Sequence, residues 1–334
     1  MRAVVLVGGF GTRLRPLTNS VPKPMLTVGH VPIIERLIGN LVRGGVNDVT
    51  LALGFRPEPF IEAFPDGMCA GAVLHYAVEP EPLDTGGAIR FAAMFSNITD
   101  TFVVANGDVL TDLDIAALVS FHRRNHAEAT LHLTPVDDPS AFGVVDRDES
   151  GRVLRFVEKP APGTSPSNLI NAGTYVFETS VLDRIPDGRR VSLEREVFPA
   201  MAADNRMFAM PTSDYWIDTG QPDLYLAANL DIIGRVRASH NWATAVAPGA
   251  SIARDATVTN AVICGGVDVR SLATVSDSVL LPGALVGPGA VVRGSIVMGH
   301  VGAGAHIDRC VIGAGVVIAD GALHSGERIP AAGT

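Results

Sequence analysis

The sequence predicts two architectures joined end to end. Residues 1–235 predict an α/β fold with a mostly parallel sheet, and residues 244–330 predict a parallel β-helix of hexapeptide repeats. Three observations carry this. Apolar strand-like runs alternate with helix-spaced segments in the first part, the pattern of a parallel sheet covered by helices. From about residue 244 charged residues thin out, and valine, isoleucine, alanine and glycine dominate. Aliphatic residues there recur every 17 positions in three columns, as stacked short coils require.

Residues 3–7 are a continuous apolar run, which a strand buried on both faces needs. Residues 32–42 carry Ile33, Ile34, Leu37, Ile38 and Leu41 at helical spacing, and Gly44-Gly45 stops that helix. Residues 49–53 predict the next strand. Thr85-Gly86-Gly87 predicts a turn, with a helix over 88–95 behind it. Residues 101–105 predict a strand, and 115–126 a helix preceded by the capping aspartates Asp112 and Asp114. Further strands are predicted at 130–135, 152–157 and 173–177. Residues 231–242 connect the two parts.

In the repeat region Val246, Ile263, Leu280 and Val297 form one column. Ile252, Val269 and Val286 form a second, and Val258, Val275 and Val292 a third. The sub-spacing is six, six and five. Three faces of six residues make a coil of ~18, so 17 means one shorter face. The register slips near Val301 and resumes at Ile307 and Ile312. There is room for roughly five coils.

Composition narrows the function. A net charge of −9 and a pI near 5.4 argue against a nucleic-acid polymer or an anionic membrane as partner. They leave room for a nucleotide, which needs only local cations. No apolar run reaches the ~18 residues of a membrane span. The N-terminus runs straight into a strand and a glycine loop rather than a signal peptide, so a cytoplasmic protein is expected. Cys69, Cys264 and Cys310 have neither zinc spacing nor a disulfide framework and are expected to be buried.

The first strand leads into Gly8-Gly9-Phe10-Gly11-Thr12-Arg13-Leu14-Arg15. Glycines there let backbone N–H groups approach an anion. Leu14 stands where a dinucleotide fingerprint needs its third glycine, and no Gly-Lys-Ser/Thr closes the loop as in a Walker A motif. The two arginines point to direct charge contact with a polyphosphate. Lysine is rare: only Lys23 and Lys159 occur among 26 basic residues. A lysine kept against that bias suits a site that needs a compact point charge, phosphate above all. Asp108 ends the apolar stretch 103–105, at the strand end where open α/β sheets bind ligands.

Residues 8–18 together with Pro22-Lys23-Pro24-Met25 resemble the opening of the sugar-1-phosphate nucleotidylyltransferases. The nearest branch is the bacterial mannose-1-phosphate guanylyltransferase-like enzymes, and the similarity runs into the hexapeptide tail. The resemblance implies a Rossmann-like nucleotidyltransferase domain, a left-handed β-helix, and the joining of a nucleoside triphosphate to a sugar 1-phosphate with loss of pyrophosphate. It implies Mg²⁺ as cofactor, bound by Asp108 and Asp218. It assigns Gly8, Gly9, Gly11, Thr12 and Arg13 to the nucleotide, with Arg13 against the departing pyrophosphate. It sets Lys23 near the α-phosphate and the attacking phosphate, so that Arg13, Lys23 and Asp108 are the expected catalytic residues.

On the sugar-phosphate side the resemblance assigns Gly143, Glu158, Lys159, Asn171 and Gly173. Glu81, Thr85, Gly86 and Gly87 fall on the base-recognition turn. Asp84 and Gly86 depart there from the Leu-Gly-Thr-Ala-Gly common in guanylyl members, which leaves the base open. Glu79 or Glu81 offers a carboxylate for guanine N1–H and N2–H. GTP with mannose 1-phosphate is the leading pair. UDP- or dTDP-glucose chemistry, or a heptose or pseudosugar phosphate, is the alternative, though the glutamine-centred string of thymidylyl members is absent. A non-catalytic nucleotide-sugar-binding subunit is another class. An acyltransferase would have to use His300 or His306. The β-helix is expected to drive homo-oligomer formation.

Overall fold

The computed structural model describes residues 1–9, 11–54 and 57–330; Phe10 of the glycine loop lies outside them. The chain forms two compact units: Met1–Gly9 with Glu35–Trp216, and Phe10–Ile34 with Ile217–Thr334.

The first unit holds a ten-stranded sheet: β1 (Arg2–Leu6), β2 (Asp48–Leu53), β3 (Met68–Cys69), β4 (Ala72–Val78), β5 (Phe102–Asn106), β6 (Ala129–Pro135), β7 (Gly143–Arg147), β8 (Val153–Glu158), β9 (Leu169–Phe177) and β10 (Met207–Pro211). Their order is β8-β7-β9-β5-β1-β2-β4-β3, with β6 also beside β9 and β10 beside β6. The neighbours β5-β1-β2-β4 run parallel, as alternation with helices predicts. Beyond them β9 lies antiparallel to β5, β6 and β7, and β7 to β8. Ala3, Val4 and Val5 are all buried, so successive side chains of β1 are covered on both faces.

The longer helices of this unit are α1 (Ile33–Arg43), α2 (Asp84–Phe95) and α3 (Ile115–Arg124); two short helices, Glu58–Ala63 and Phe198–Ala203, accompany them. The five apolar positions read from α1 are all buried. Gly44 ends it for a steric reason: a Cβ there would lie 2.4 Å from Ile115 Cβ. Asp114 caps α3 by accepting from Ala117 N–H at 2.9 Å. Helix α2 begins at Asp84, so the predicted turn 85–87 lies inside its first turn. The carbonyl of Val191 accepts from both Gly86 N–H (2.8 Å) and Gly87 N–H (3.3 Å), and this tertiary cap offsets the glycines' poor helix propensity.

Strands β3, β4, β7 and β10 were not among the predicted elements. His75 and the exposed Val73 and Val78 break the run in β4. Strand β9 starts four residues before its predicted start, because a bulge interrupts its register between Asn171 and Tyr175. Gly173 sits in that bulge with φ +76°.

The second unit contains a left-handed parallel β-helix of three five-stranded sheets. The columns read from the sequence are its ladders: Val246 faces Ile263, then Leu280 and Val297; Ile252, Val269 and Val286 align, as do Val258, Val275 and Val292. The slip is one tight corner. Val297 is followed by the next inward residue, Val301, after four positions rather than six. The ladder then continues Val286 to Val301 to Ile318 and Val292 to Ile307. Gly299 makes this corner possible, since a Cβ there would lie 2.5 Å from Val316 O and 2.8 Å from Gly313 O. Helix α4 (Pro222–Ile233) precedes the β-helix, and its end absorbs the start of the predicted connection.

Cys69, Cys264 and Cys310 are buried and unbridged, and burial pushes the Cys69 thiol up to about 12. Among the described residues no helix is long and apolar enough to cross a membrane.

Candidate active site

In the first unit an open cleft of about 370 Å³ gathers the ends of β7 and β8 with residues from β9 and α2. It is lined by Asp84, Thr85, Ala141, Phe142, Gly143, Glu158, Lys159, Asn171, Ser192, Glu194 and Arg195. Gly143 pairs with Glu158 across β7 and β8. A Cβ on Gly143 would lie 2.4 Å from Phe156 Cζ and 3.0 Å from Glu158 Oε2, so only glycine lets that carboxylate lie against the strand. Lys159 follows in the left-handed region at φ +49°. Its N–H donates to Phe142 O at 2.9 Å, and its ammonium stands 3.6 Å from Glu158 Oε1. Burial, then the Glu194 charge, raises the Glu158 carboxyl; Lys159 opposes both.

The Asn171 amide is held from two sides. Its Nδ2 donates to Tyr175 OH at 2.8 Å, and its Oδ1 accepts from Gly173 N–H at 3.1 Å. Gly173 is packed so closely that a Cβ would lie 2.6 Å from Asn106 Nδ2. Thus Gly143, Glu158, Lys159 and Asn171 line one cleft, with Gly173 behind Asn171.

The residues predicted for the base turn divide. Thr85 lines this same cleft. The Gly86 and Gly87 amides are engaged by Val191 O, and a Cβ on Gly86 would lie 3.0 Å from that oxygen; both glycines serve close packing of the 189–191 segment. Glu81 is exposed. Glu79 is buried, accepts Leu83 N–H at 2.8 Å, and is raised by burial.

The same unit holds the end of β1 and the turn after β5. Gly8 packs near Gly54, and Gly9 has φ +123°, with open space where a Cβ would lie. Gly107 N–H donates to Leu6 O at 2.8 Å. Any Cβ on Gly107 would lie 2.7 Å from Val7 Cγ1, so this glycine seats the half-buried Asp108 at the end of β5.

The second unit carries the rest. Gly11, at φ +56°, opens the short 3₁₀ turn Thr12–Leu14. Lys23 is buried, and its Nζ donates to Asp218 Oδ1 at 3.1 Å. Arg13 Nη2 stands 3.9 Å from Asp218 Oδ2, with its side chain 66% exposed against 7% for Lys23. Gly220 N–H donates to Asp218 Oδ1 at 2.9 Å. Arg328 Nη1 donates to Arg13 O at 2.8 Å, and a Cβ on Gly313 would lie 2.9 Å from Pro16 Cβ. The loop backbone is therefore braced by the last coils of the β-helix. Sequence reasoning missed these two contacts, which join residues some 300 positions apart.

It also missed Ser192, Glu194 and Arg195. A polar run between buried Val191 and Val197 was the available signal. The segment Leu193–Val197 is a π-helical turn, a form often found at functional sites.

Among the described residues no three His, Cys, Asp or Glu side chains cluster as a protein-only metal cage. A magnesium ion needs only one or two carboxylates, with phosphate oxygens and water completing its shell. Asp108, in the first unit, and Asp218, in the second, are each by themselves hard oxygen donors of that kind.

Residues 2–234 match the nucleotidyl transferase family, and 233–301 match the GlmU-like C-terminal hexapeptide family. The chain belongs to the nucleotidyl transferase family. It is similar to a mannose-1-phosphate guanylyltransferase of Mycobacterium tuberculosis (strain ATCC 25618 / H37Rv), at 40% identity over 300 residues, covering 87% of this chain and 82% of that one. A mannose-1-phosphate guanylyltransferase catalytic subunit beta of Dictyostelium discoideum is 41% identical over 231 residues, covering 68% of this chain and 63% of its own length. Crystalline HddC from Yersinia pseudotuberculosis complexed with GMP-PN matches at a TM-score of 0.57 and 29% identity, covering 68% of this chain and 97% of that one. This nucleotidyl transferase is therefore an enzyme of a divalent-metal-dependent family.

Proposed function

We propose that this enzyme joins GTP and mannose 1-phosphate, giving GDP-mannose and pyrophosphate with Mg²⁺ as cofactor. The observation that carries the proposal is the cleft that combines Lys159 and Arg195 with three carboxylates and a held amide, as a phosphorylated sugar requires. The relatives named mannose-1-phosphate guanylyltransferase support the sugar and the base, and the GMP-PN complex of HddC supports a guanine nucleotide. We take residues 1–235 as the catalytic domain and 244–330 as a hexapeptide domain that favours self-association. The substrates point to the cytoplasm, where nucleoside triphosphates are made and used.

In this reading a phosphate oxygen of the sugar phosphate attacks the α-phosphorus of GTP. One P–O bond forms as the bond to the β-phosphate oxygen breaks, and the electron pair leaves with pyrophosphate. No proton transfer by the protein is needed, so catalysis is positioning and charge neutralisation. Lys159 binds the sugar phosphate beside Glu158, while Asn171 and the Gly143 and Gly173 backbones fit the sugar. Arg13, exposed from a braced loop, neutralises the leaving pyrophosphate, and Lys23 the reacting phosphates. Gly8, Gly9, Gly11 and Thr12 line the triphosphate, and Glu81 lies on the base side, while Thr85 lines the sugar cleft and Gly86 and Gly87 pack behind it. Asp108 and Asp218 would hold the magnesium, which would supply positive charge to offset that of the phosphates.

The test is pyrophosphate release from five nucleoside triphosphates, each paired with mannose 1-phosphate and glucose 1-phosphate. GTP with mannose 1-phosphate should turn over fastest, and Asp108→Asn should abolish that turnover in a folded protein. A faster UTP or dTTP reaction would overturn the base assignment. Binding of GDP-mannose without turnover of any pair would favour the regulatory subunit.

A further inference from the structure

One sheet of the β-helix is built from Val262–Ile263, Val279–Leu280, Ile296–Val297, Val311–Ile312 and Arg328–Ile329. Ile263, Leu280, Val297, Ile312 and Ile329 form its inward column, so the residue before each points outward. The outward column runs Val262, Val279, Ile296, Val311 and then Arg328. Its four aliphatics are buried although they face away from the coil interior, so this side of the solenoid is covered. Helix α4 packs on its first strand, and Pro16 lies against Gly313 just after its fourth. The fifth coil breaks the apolar column with an arginine. Arg328 is exposed and forms no ion pair among the described residues; its Nη1 donates to Arg13 O at 2.8 Å.

The carbonyl it meets is one that the loop cannot satisfy by its own pattern. In the 3₁₀ turn Thr12–Leu14, Leu14 N–H donates to Gly11 O at 2.9 Å and Arg15 N–H to Thr12 O at 3.3 Å. The next bond of that series would run from residue 16 to Arg13 O. Residue 16 is proline and has no N–H to give. Arg328 supplies the missing donor from the far end of the chain. Arg13 is thus fixed by its carbonyl, while its guanidinium stays exposed and 3.9 Å from Asp218. We infer that Arg328 is a positioning residue for nucleotidyl transfer, which replaces the turn hydrogen bond that Pro16 cannot make and so sets how the Arg13 guanidinium meets pyrophosphate. This rests on the nucleotidyl-transfer reading above. It gives the fifth coil of the β-helix a part in turnover.

The experiment takes the fastest pair of nucleoside triphosphate and sugar 1-phosphate. It measures forward kcat and KM, and KM for pyrophosphate in the reverse reaction. The proteins are wild type, Arg328→Ala, Arg328→Lys, Arg309→Ala, Arg13→Ala and the Arg13→Ala/Arg328→Ala double variant. Losing one exposed hydrogen bond should lower kcat and raise the pyrophosphate KM by about 3- to 10-fold each in Arg328→Ala. The KM for the sugar 1-phosphate should stay within about twofold. Arg328→Lys keeps an N–H donor and should recover most of the loss. Arg309, exposed on the coil before and paired with Asp308 at 3.0 Å, is the control, and Arg309→Ala should match wild type. Because Arg328 acts through Arg13, it should add no further loss in the Arg13→Ala background. An Arg328→Ala loss that persists in full without the Arg13 side chain, or that Arg309→Ala reproduces, would overturn the inference. So would a rise in sugar 1-phosphate KM equal to that for pyrophosphate. Wild-type protein that turns over no pair in either direction would overturn the functional reading and this inference with it. Wild-type turnover that Arg328→Ala leaves unaltered would overturn the inference alone.

Discussion

His132 makes the first unit acid-sensitive by an amount that can be worked out. It lies on β6, fully buried, with Nε2 2.8 Å from Thr212 Oγ1. Its Nδ1 has no partner among the described residues. A charged imidazole must donate from both nitrogens, so burial pushes its pKa from 6.5 down to about 4. The folded pKa lies below the unfolded one, so the unfolded chain takes up the proton first. The stability that neutral His132 contributes is present above pH 6.5 and is lost as pH falls towards 4. Between the unfolded pKa of 6.5 and pH 5 the loss is 1.5 units at 1.36 kcal/mol each, about 2 kcal/mol. Urea unfolding at pH 7 and pH 5 measures it in wild type and in His132→Gln, whose amide can still meet Thr212. The wild type should lose about 2 kcal/mol more than the variant over that interval. Parallel losses would refute the burial argument. Leu133 on β6 registers with Asn171 on β9, so the loss acts beside the cleft.

Three further outcomes follow from named contacts. Lys23→Met removes a buried cation from Asp218, which keeps Gly220 N–H and a more distant Arg13; partial exposure of Asp218 limits the cost to about 1–2 kcal/mol by thermal unfolding. Turnover should fall by about 100-fold or more, and an active, fully stable variant would refute the charge role. Lys159→Ala should raise KM for the sugar phosphate about tenfold or more with little change for GTP, and equal changes would remove Lys159 from the sugar side. Gly299→Ala should melt below Gly39→Ala, because its Cβ meets Val316 O at 2.5 Å while the other, inside helix α1, meets nothing closer than 3.7 Å; the overpacking costs about 1–3 kcal/mol. The reverse order would refute the tight-corner account of the β-helix slip.

What the sequence conveys depends on how local each cause is. The β-helix was legible to the residue, because its inward aliphatics repeat and the ladders follow that repeat. Strand β1 and helix α1 were legible because one period is unbroken in each. The bulge at Gly173 was not, since its cause is Asn106 on a neighbouring strand. The start of α2 was missed because its cap, Val191 O, lies about a hundred residues later. Gly143, Glu158, Lys159 and Asn171 were found as separate strings, and the structure brings them into one cleft. Glu194 was invisible because its meaning depends on Thr85 across the chain.

The glycine loop shows why its support comes from so far along the chain. In the proposed reaction this backbone meets a polyphosphate. Leu14 and Leu17 anchor the loop by burial, but its glycines and exposed Arg13 supply little packing, so further rigidity comes from elsewhere in the second unit. Here Thr18 Oγ1 donates to Gly11 O at 2.8 Å, Arg328 donates to Arg13 O, and Pro16 lies against Gly313. In a solenoid each coil contacts only its neighbours, so the last coils have faces to spare for such a task. The result separates two properties that one residue needs at once. The main chain of Arg13 is held, while its guanidinium remains two-thirds exposed. In the proposed reaction, a fixed base with a reachable charge is the preorganisation that stabilising a leaving pyrophosphate demands.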